Sequence, residues 1–314
     1  MTIDSIQDST RYIVKKGKHR GAVLPGNRME MSRAVFIETG AEIEGGVWAG
    51  TLEVTGSDVS ISESVYCEKE ITVKAGKTGN RKKPAIEFKS TVTTSDSIVV
   101  TSQGGRTRFR SDIYAGRVNL KNCVVYGNVF ADSAIIEDCV ILGGVFCRDL
   151  LRVRSSIISA FESNITHLGK QVGVLVPFGI SREALSIDQP IRVLTFQSLF
   201  DDQIEFGSSY LDQDDVYSMN IVGESGDSRT VQCLSLAERI FDTSKLIEVL
   251  SSNANTIREI VLEENIVGVD SGEISATAAS MESVMFDLKD AEPTDDLLTH
   301  STKLQDLIAR WQTN

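Results

Sequence analysis

Histidine is scarce in this chain: His19, His167 and His300 are the only three in 314 residues, and they lie in widely separated segments. Base or metal chemistry built on clustered imidazoles therefore has little to work with. Cysteine is also little used. The five thiols are odd in number and show no Cys-x-x-Cys spacing, which fits reduced thiols better than a disulfide framework or a zinc site. No apolar run approaches the roughly 18 to 20 residues that a membrane-spanning helix needs, and the N-terminus lacks the apolar stretch of a secretion signal. The chain reads as soluble and cytoplasmic.

The familiar catalytic spacings are missing too. Gly76-Lys77-Thr78 suggests a phosphate loop, but GxxxxGK[ST] would require a glycine where Ile71 stands. Gly223-Glu224-Ser225-Gly226-Asp227-Ser228 lacks the GxSxG elbow of a serine hydrolase and reads as a polar turn. A six-residue period, which trimeric acyltransferase coils use, is absent. Asp112, Asp132, Asp138 and Asp149 do not keep one spacing, so they read as solvated corners and not as the clustered acids of a polysaccharide-cleaving coil. No catalytic residue, metal site or cofactor is assigned.

Acidic residues outnumber basic ones, 44 to 32, for a net charge of −12. That makes a whole-surface nucleic-acid binder an unfavourable reading. The cations are not evenly spread. Arg11, Lys15, Lys16, Lys18, Arg20 and Arg28 follow one another with no acid among them, and Lys77, Arg81, Lys82 and Lys83 fall in a second basic stretch. Lys15, Lys16, Lys18, Arg20, Lys77, Arg81, Lys82 and Lys83 are the candidates for contact with an anionic partner, and the first group could touch a membrane surface.

What the chain does contain is a repeat. Val129-Phe130-Ala131-Asp132 returns as Val145-Phe146-Cys147-Arg148, an advance of 145 − 129 = 16. Cys123-Val124-Val125 and Cys139-Val140-Ile141 repeat at the same interval, and Ser155 follows Cys139 by sixteen again. The branched-aromatic-small signature occurs earlier as Val47-Trp48-Ala49, Val65-Tyr66-Cys67 and Ile113-Tyr114-Ala115. Such a period is too short for a helix plus a strand, but it accommodates one circuit of a parallel β-helix with three short strands and three bends. From Val65 to Ile113 the step is 113 − 65 = 48, which suits two circuits with a surplus of about a dozen residues. Gly76 to Pro84 supplies the inserted loop, and Val92 marks the concealed circuit.

Trp48, Tyr66, Tyr114, Phe130 and Phe146 form the candidate partner surface. Alternation sets each of them opposite its preceding Val or Ile. Either they make an outward ladder, or the nearby bends turn them into an interior ladder or one covered by the chain's own C-terminal half.

The expected class is mainly β: a single-stranded parallel β-helix followed by a smaller α+β or helical C-terminal region. In boundaries, 1–30 is a basic flexible leader that could contribute one strand at Tyr12 to Val14, 31–168 the β-helix with its basic loop at 76–84, and 169–234 an irregular β capping region. Residues 235–314 form a helical region with a flexible link near 268–293. Ser235-Leu236-Ala237-Glu238 has the spacing of a capping box, and Leu297, Leu304, Leu307, Ile308 and Trp311 share one helical face.

The segment from Ala41-Glu42-Ile43-Glu44-Gly45-Gly46-Val47-Trp48-Ala49-Gly50 through Gly143-Gly144-Val145-Phe146 resembles the bactofilins, a bacterial polymer-forming cytoskeletal family. The likeness covers roughly residues 34 to 161. It implies a right-handed β-helix that associates end to end without nucleotide and scaffolds other proteins near a membrane. The added C-terminal half departs from that family, and if it covers the last rung, growth at that end is blocked. The expected function is a non-catalytic scaffold that self-associates, end to end or laterally, and displays protein partners. The alternative is a glycan-binding or glycan-processing β-helix using the aromatic ladder.

Overall fold

The computed structural model describes residues 11–24, 33–79, 83–175, 178–193, 210–222 and 228–235. The expected helices beyond Ser235, together with Arg28, Arg81, Lys82 and His300, lie outside the described residues. The fold is a parallel β-solenoid. The chain divides into two compact units, Met1–Val125 with Phe130–Ile136, and Tyr126–Val129 with Glu137–Asn314.

In the first unit each circuit has three sides. One side stacks Arg11–Val14, Ala34–Ile37, Thr51–Gly56, Glu70–Ala75 and Ser97–Ser102 in parallel. A second stacks Gly17–His19, Ala41–Ile43, Val59–Ile61, Ile86–Phe88, Thr107–Phe109 and Cys123–Val125. The third stacks Val47–Ala49, Val65–Cys67 and Val92–Thr94, and joins the first part of Ile113–Lys121. Val92 thus takes the concealed circuit, with steps of 92 − 65 = 27 and 113 − 92 = 21. The larger surplus falls in the circuit that contains Gly76 to Pro84, since extra residues leave a solenoid as a loop without disturbing the stack.

Residues 11–24, where the sequence offers one strand at Tyr12 to Val14 within the leader, carry the first circuit. Tyr12 and Val14 pair with Val35 and Ile37, and Val23 bridges to Val47. A short charged segment can be ordered this way because only its inward residues need be apolar. Val14 and Val23 are buried while Lys18 and its neighbours stay outside.

One corner sets the repeat. The residue entering the second side has a positive φ in circuit after circuit: Gly40 (76°), Asp58 (57°) and Asn122 (55°) in the first unit, and Asp138 (54°), Ser155 (47°) and Gln171 (59°) in the second. This left-handed bend is tolerated best by Gly, Asn and Asp, which is why the sequence punctuates the branched runs with those residues. Asn122 also ties its corner to earlier circuits, its amide donating to Ser102 Oγ at 3.0 Å and to the Gly105 carbonyl at 2.9 Å.

The core is a set of ladders. Val47, Val65, Val92 and Ile113 line one side and Ile43, Ile61, Phe88 and Phe109 another, all buried. Each rung repeats the burial of the last at about 4.8 Å, so no circuit closes its own apolar side without a neighbour.

In the second unit two sides merge into long bent strands, Val145–Arg154, Phe161–Leu168 and Phe178–Ile187, with register shifts between Phe146 and Leu150 and between Ser163 and Ile165. Gly179 is required where it pairs with Phe161, because a Cβ there would collide with the Phe161 ring. The parallel run continues to Ile191–Val193, past the point where the sequence period fades. Antiparallel strands then follow. Tyr210–Leu211 pairs with Ile191–Val193, Ser228–Ser235 with Phe178–Ile187, and Val216–Val222 with Ser228–Ser235. Gln213 accepts a hydrogen bond from the Ile187 amide at 3.1 Å and donates to the Leu185 carbonyl at 3.3 Å, so side chains satisfy the strand edge that the hairpin does not reach.

Candidate functional site: an outward aromatic column

Val47–Ala49, Val65–Cys67 and Val92–Thr94 are three-residue strands in which the outer residues point inward and the middle one outward. Val47 and Ala49, Val65 and Cys67, and Val92 and Thr94 are buried, whereas Trp48 is half-buried, Tyr66 exposed and Thr93 half-buried. Alternation therefore survives beside the bends. The column continues through Tyr114, exposed, and Phe130, half-buried.

Parallel register makes these residues direct neighbours: Trp48 with Tyr66, Tyr66 with Thr93, and Thr93 with Tyr114. Tyr114 and Phe130 stack face to face, centroids 4.9 Å apart and planes within 8°. The Tyr114 hydroxyl donates to Asp112 Oδ2 at 3.3 Å. Burial against the sheet, reinforced by the Asp112 charge, pushes its phenol above the ordinary range, so the ring is a neutral donor at physiological pH. Beside the column runs a row of hydroxyls, with Ser64 and Ser90 at 3.1 Å and Thr91 and Ser111 at 3.3 Å. In the second unit Phe146 occupies the equivalent place in its strand, half-buried, and its partner on the next rung is Glu162. There the column is charged, with Glu162 ion-paired to Arg182.

The basic candidates are partly engaged within the fold. Lys18 binds Glu44 at 2.7 Å, and the hydrogen bond and charge of Glu44 raise the Lys18 pKa. The Lys15 carbonyl lies 2.7 Å from His19 Nε2, and Arg11 sits over the Phe36 ring at 5.0 Å. Lys16 lies along Gly40 and Lys77 along Gly104. Lys77 and Lys83 are exposed, as is Arg20 in the first circuit, and Arg81 and Lys82 fall outside the described residues.

Two features were not legible beforehand. One is a buried charge cluster on the second side, where Glu87 Oε1 accepts from Arg108 Nη1 at 3.0 Å and from Arg110 Nε at 2.7 Å. The Arg108 side chain is only 4% exposed. The sign was the wide spacing of Glu87 and Arg108, which only the 21-residue circuit brings into register. The other is the meeting of His167 with Ser186, 2.8 Å from Nδ1, and Asp188, 3.4 Å from Nε2. The three residue types match a hydrolase triad, but the pair His167 and Asp188 is 41% and 44% exposed on an open strand face. Acyl transfer needs a protected oxyanion site, and a solvated pair of this kind contributes little even to stability.

Among the described residues no group of three or more His, Cys, Asp or Glu side chains is arranged to hold a metal ion, and no helix is long and apolar enough to cross a membrane. No family model, curated protein or solved structure matches the chain.

Proposed function

We propose that this protein is a non-catalytic scaffold that self-associates through the edge of its first circuit and displays its outer faces to protein partners. One observation carries the reading. Arg11–Val14 and Gly17–His19 each have a single strand neighbour among the described residues, Ala34–Ile37 and Ala41–Ile43. Backbone donors and acceptors on the other side of such strands are a template for another chain. Tyr12 adds an apolar element at the same edge: its partner Val35 is fully buried, yet Tyr12 itself is only half-buried. The likeness to bactofilins points the same way.

In the second unit the last parallel strands already carry antiparallel neighbours. That favours a discrete assembly over an open-ended filament. A glycan-binding role would draw on free ring faces along the column, and the stacking of Tyr114 on Phe130 uses one face of each.

Sedimentation velocity and electron microscopy of the full chain over a range of concentration and salt test the proposal. The parent protein should form oligomers, and Tyr12→Lys, which sets a charge in the first strand, should shift them to a smaller species. A parent that stays monomeric at every concentration would sink the reading.

A further inference from the structure

The outward column of the first unit has one gap. Tyr66, Thr93 and Tyr114 are successive register partners, so the two tyrosines stand two rungs apart, about 9 to 10 Å, with a short Thr side chain between them. Tyr66 and Tyr114 are 40% and 39% exposed. Tyr114 covers one face with Phe130 on the following rung, and its other face therefore looks across Thr93 toward Tyr66.

The size of the gap selects its occupant. A group lying over Thr93 is one rung, about 4.8 Å, from the rungs that carry Tyr66 and Tyr114. Among the described residues a guanidinium sits over an aromatic ring at nearly that distance, Arg11 over Phe36 at 5.0 Å and Arg192 over Tyr210 at 5.3 Å. A cation is attracted to an aromatic face within about 6 Å of its centroid, so one guanidinium in the gap would meet two rings at once. A carboxylate stands at one wall: Asp112 accepts from the Tyr114 hydroxyl, and Glu63 and Glu68 lie close to Tyr66 in sequence, Glu63 exposed and Glu68 half-buried. Arg117 is paired to Asp96 at 2.7 Å, and Lys69 is exposed.

We propose that the gap over Thr93, walled by Tyr66 and Tyr114 and edged by Asp112, receives an arginine side chain from a basic segment of a partner protein. Arginine suits it better than lysine because its planar cation presents a face to each ring and its edge N–H groups to the carboxylate. The site goes beyond the scaffold reading and does not depend on self-association, so failure of the sedimentation test leaves it standing.

The test is an NMR titration of the full chain, following tyrosine ring signals. The ligands are blocked Gly-Arg-Gly, its neutral citrulline analogue and a linear gluco-oligosaccharide. The arginine peptide should saturate these signals and the other two should not. Thr93→Phe, which fills the gap with a ring stacked on both tyrosines, should abolish binding without lowering the unfolding temperature. Tyr66→Leu and Tyr114→Leu should each weaken binding by about two- to fivefold, and they carry the test if Thr93→Phe fails to fold. Equal binding by Thr93→Phe, equal response to citrulline, or a response to the saccharide in place of the peptide would each overturn the proposal.

Discussion

Phe88 and Phe109 are Cα register partners whose rings lie parallel within 4°, centroids 4.9 Å apart, both buried inside the coil. Tyr114 and Phe130 repeat the same spacing on the outside. The rung distance imposes the stack in both places, but only the inner pair also removes its rings from water. Phe109→Ala should therefore cost about 3 to 5 kcal/mol of stability, whereas Phe130→Ala should cost about 0.5 to 1.5 kcal/mol. Urea unfolding of the two variants checks this, and equal losses would show that burial does not separate the ladders.

Glu87 accepts from both Arg108 and Arg110, and of the two the Arg108 guanidinium is the one withdrawn from water. Glu87→Gln should destabilise by about 3 to 5 kcal/mol because the buried Arg108 guanidinium loses a carboxylate charge at 3.0 Å. Replacing the charges together, as Glu87→Gln with Arg108→Met, should recover much of the loss. Thermal unfolding of the single and double variants decides it, and a double variant no better than the single would show that the cluster contributes more than charge balance.

Ser155 holds a φ of 47° at the repeating corner, with its hydroxyl donating to Gln171 Oε1 at 3.0 Å. A left-handed conformation costs an ordinary L-residue roughly 1 to 2 kcal/mol. Ser155→Gly should then leave stability within about 1 kcal/mol of the parent, because the relieved strain is offset by the lost hydrogen bond and the added chain freedom. Asn122→Ala at the corresponding corner should be clearly destabilising, by about 1 to 3 kcal/mol, since it removes two donated bonds and keeps the left-handed backbone. Denaturant midpoints of both variants provide the measurement.

All five cysteines are buried, and burial pushes the Cys233 thiol up to about 11. A raised pKa means the folded state favours the protonated thiol. Its stabilising effect is thus complete below the ordinary thiol range near pH 8.5 and is lost as pH rises toward 11. Two outcomes are expected: native protein should resist an aromatic disulfide reagent at pH 8 until denatured, and Cys233→Ala should flatten the fall in unfolding temperature between pH 9 and 11. Rapid native labelling, or an unchanged slope, would contradict the burial argument.

The repeat was legible because stacking identical circuits demands similar residues at equal intervals, as Val129 and Val145 show. The first circuit was harder to see. Tyr12 and Val14 lie among cations, and charge on the outward side says nothing about the inward one. Where the sixteen-residue step broke down after Phe161, the coil persisted to Val193, because backbone pairing tolerates changes of side chain that blur a pattern.

By itself, then, the sequence determined the coil and the inserted loop after Gly76, since each follows from local backbone preference and a fixed interval. Only the tertiary structure decided that Trp48, Tyr66 and Tyr114 face outward, that Thr93 separates two of them, and that Glu87 meets Arg108. Circuits of 27 and 21 residues bring those groups side by side. Which residues become neighbours depends on the length of each loop, and no local pattern of residue types encodes that.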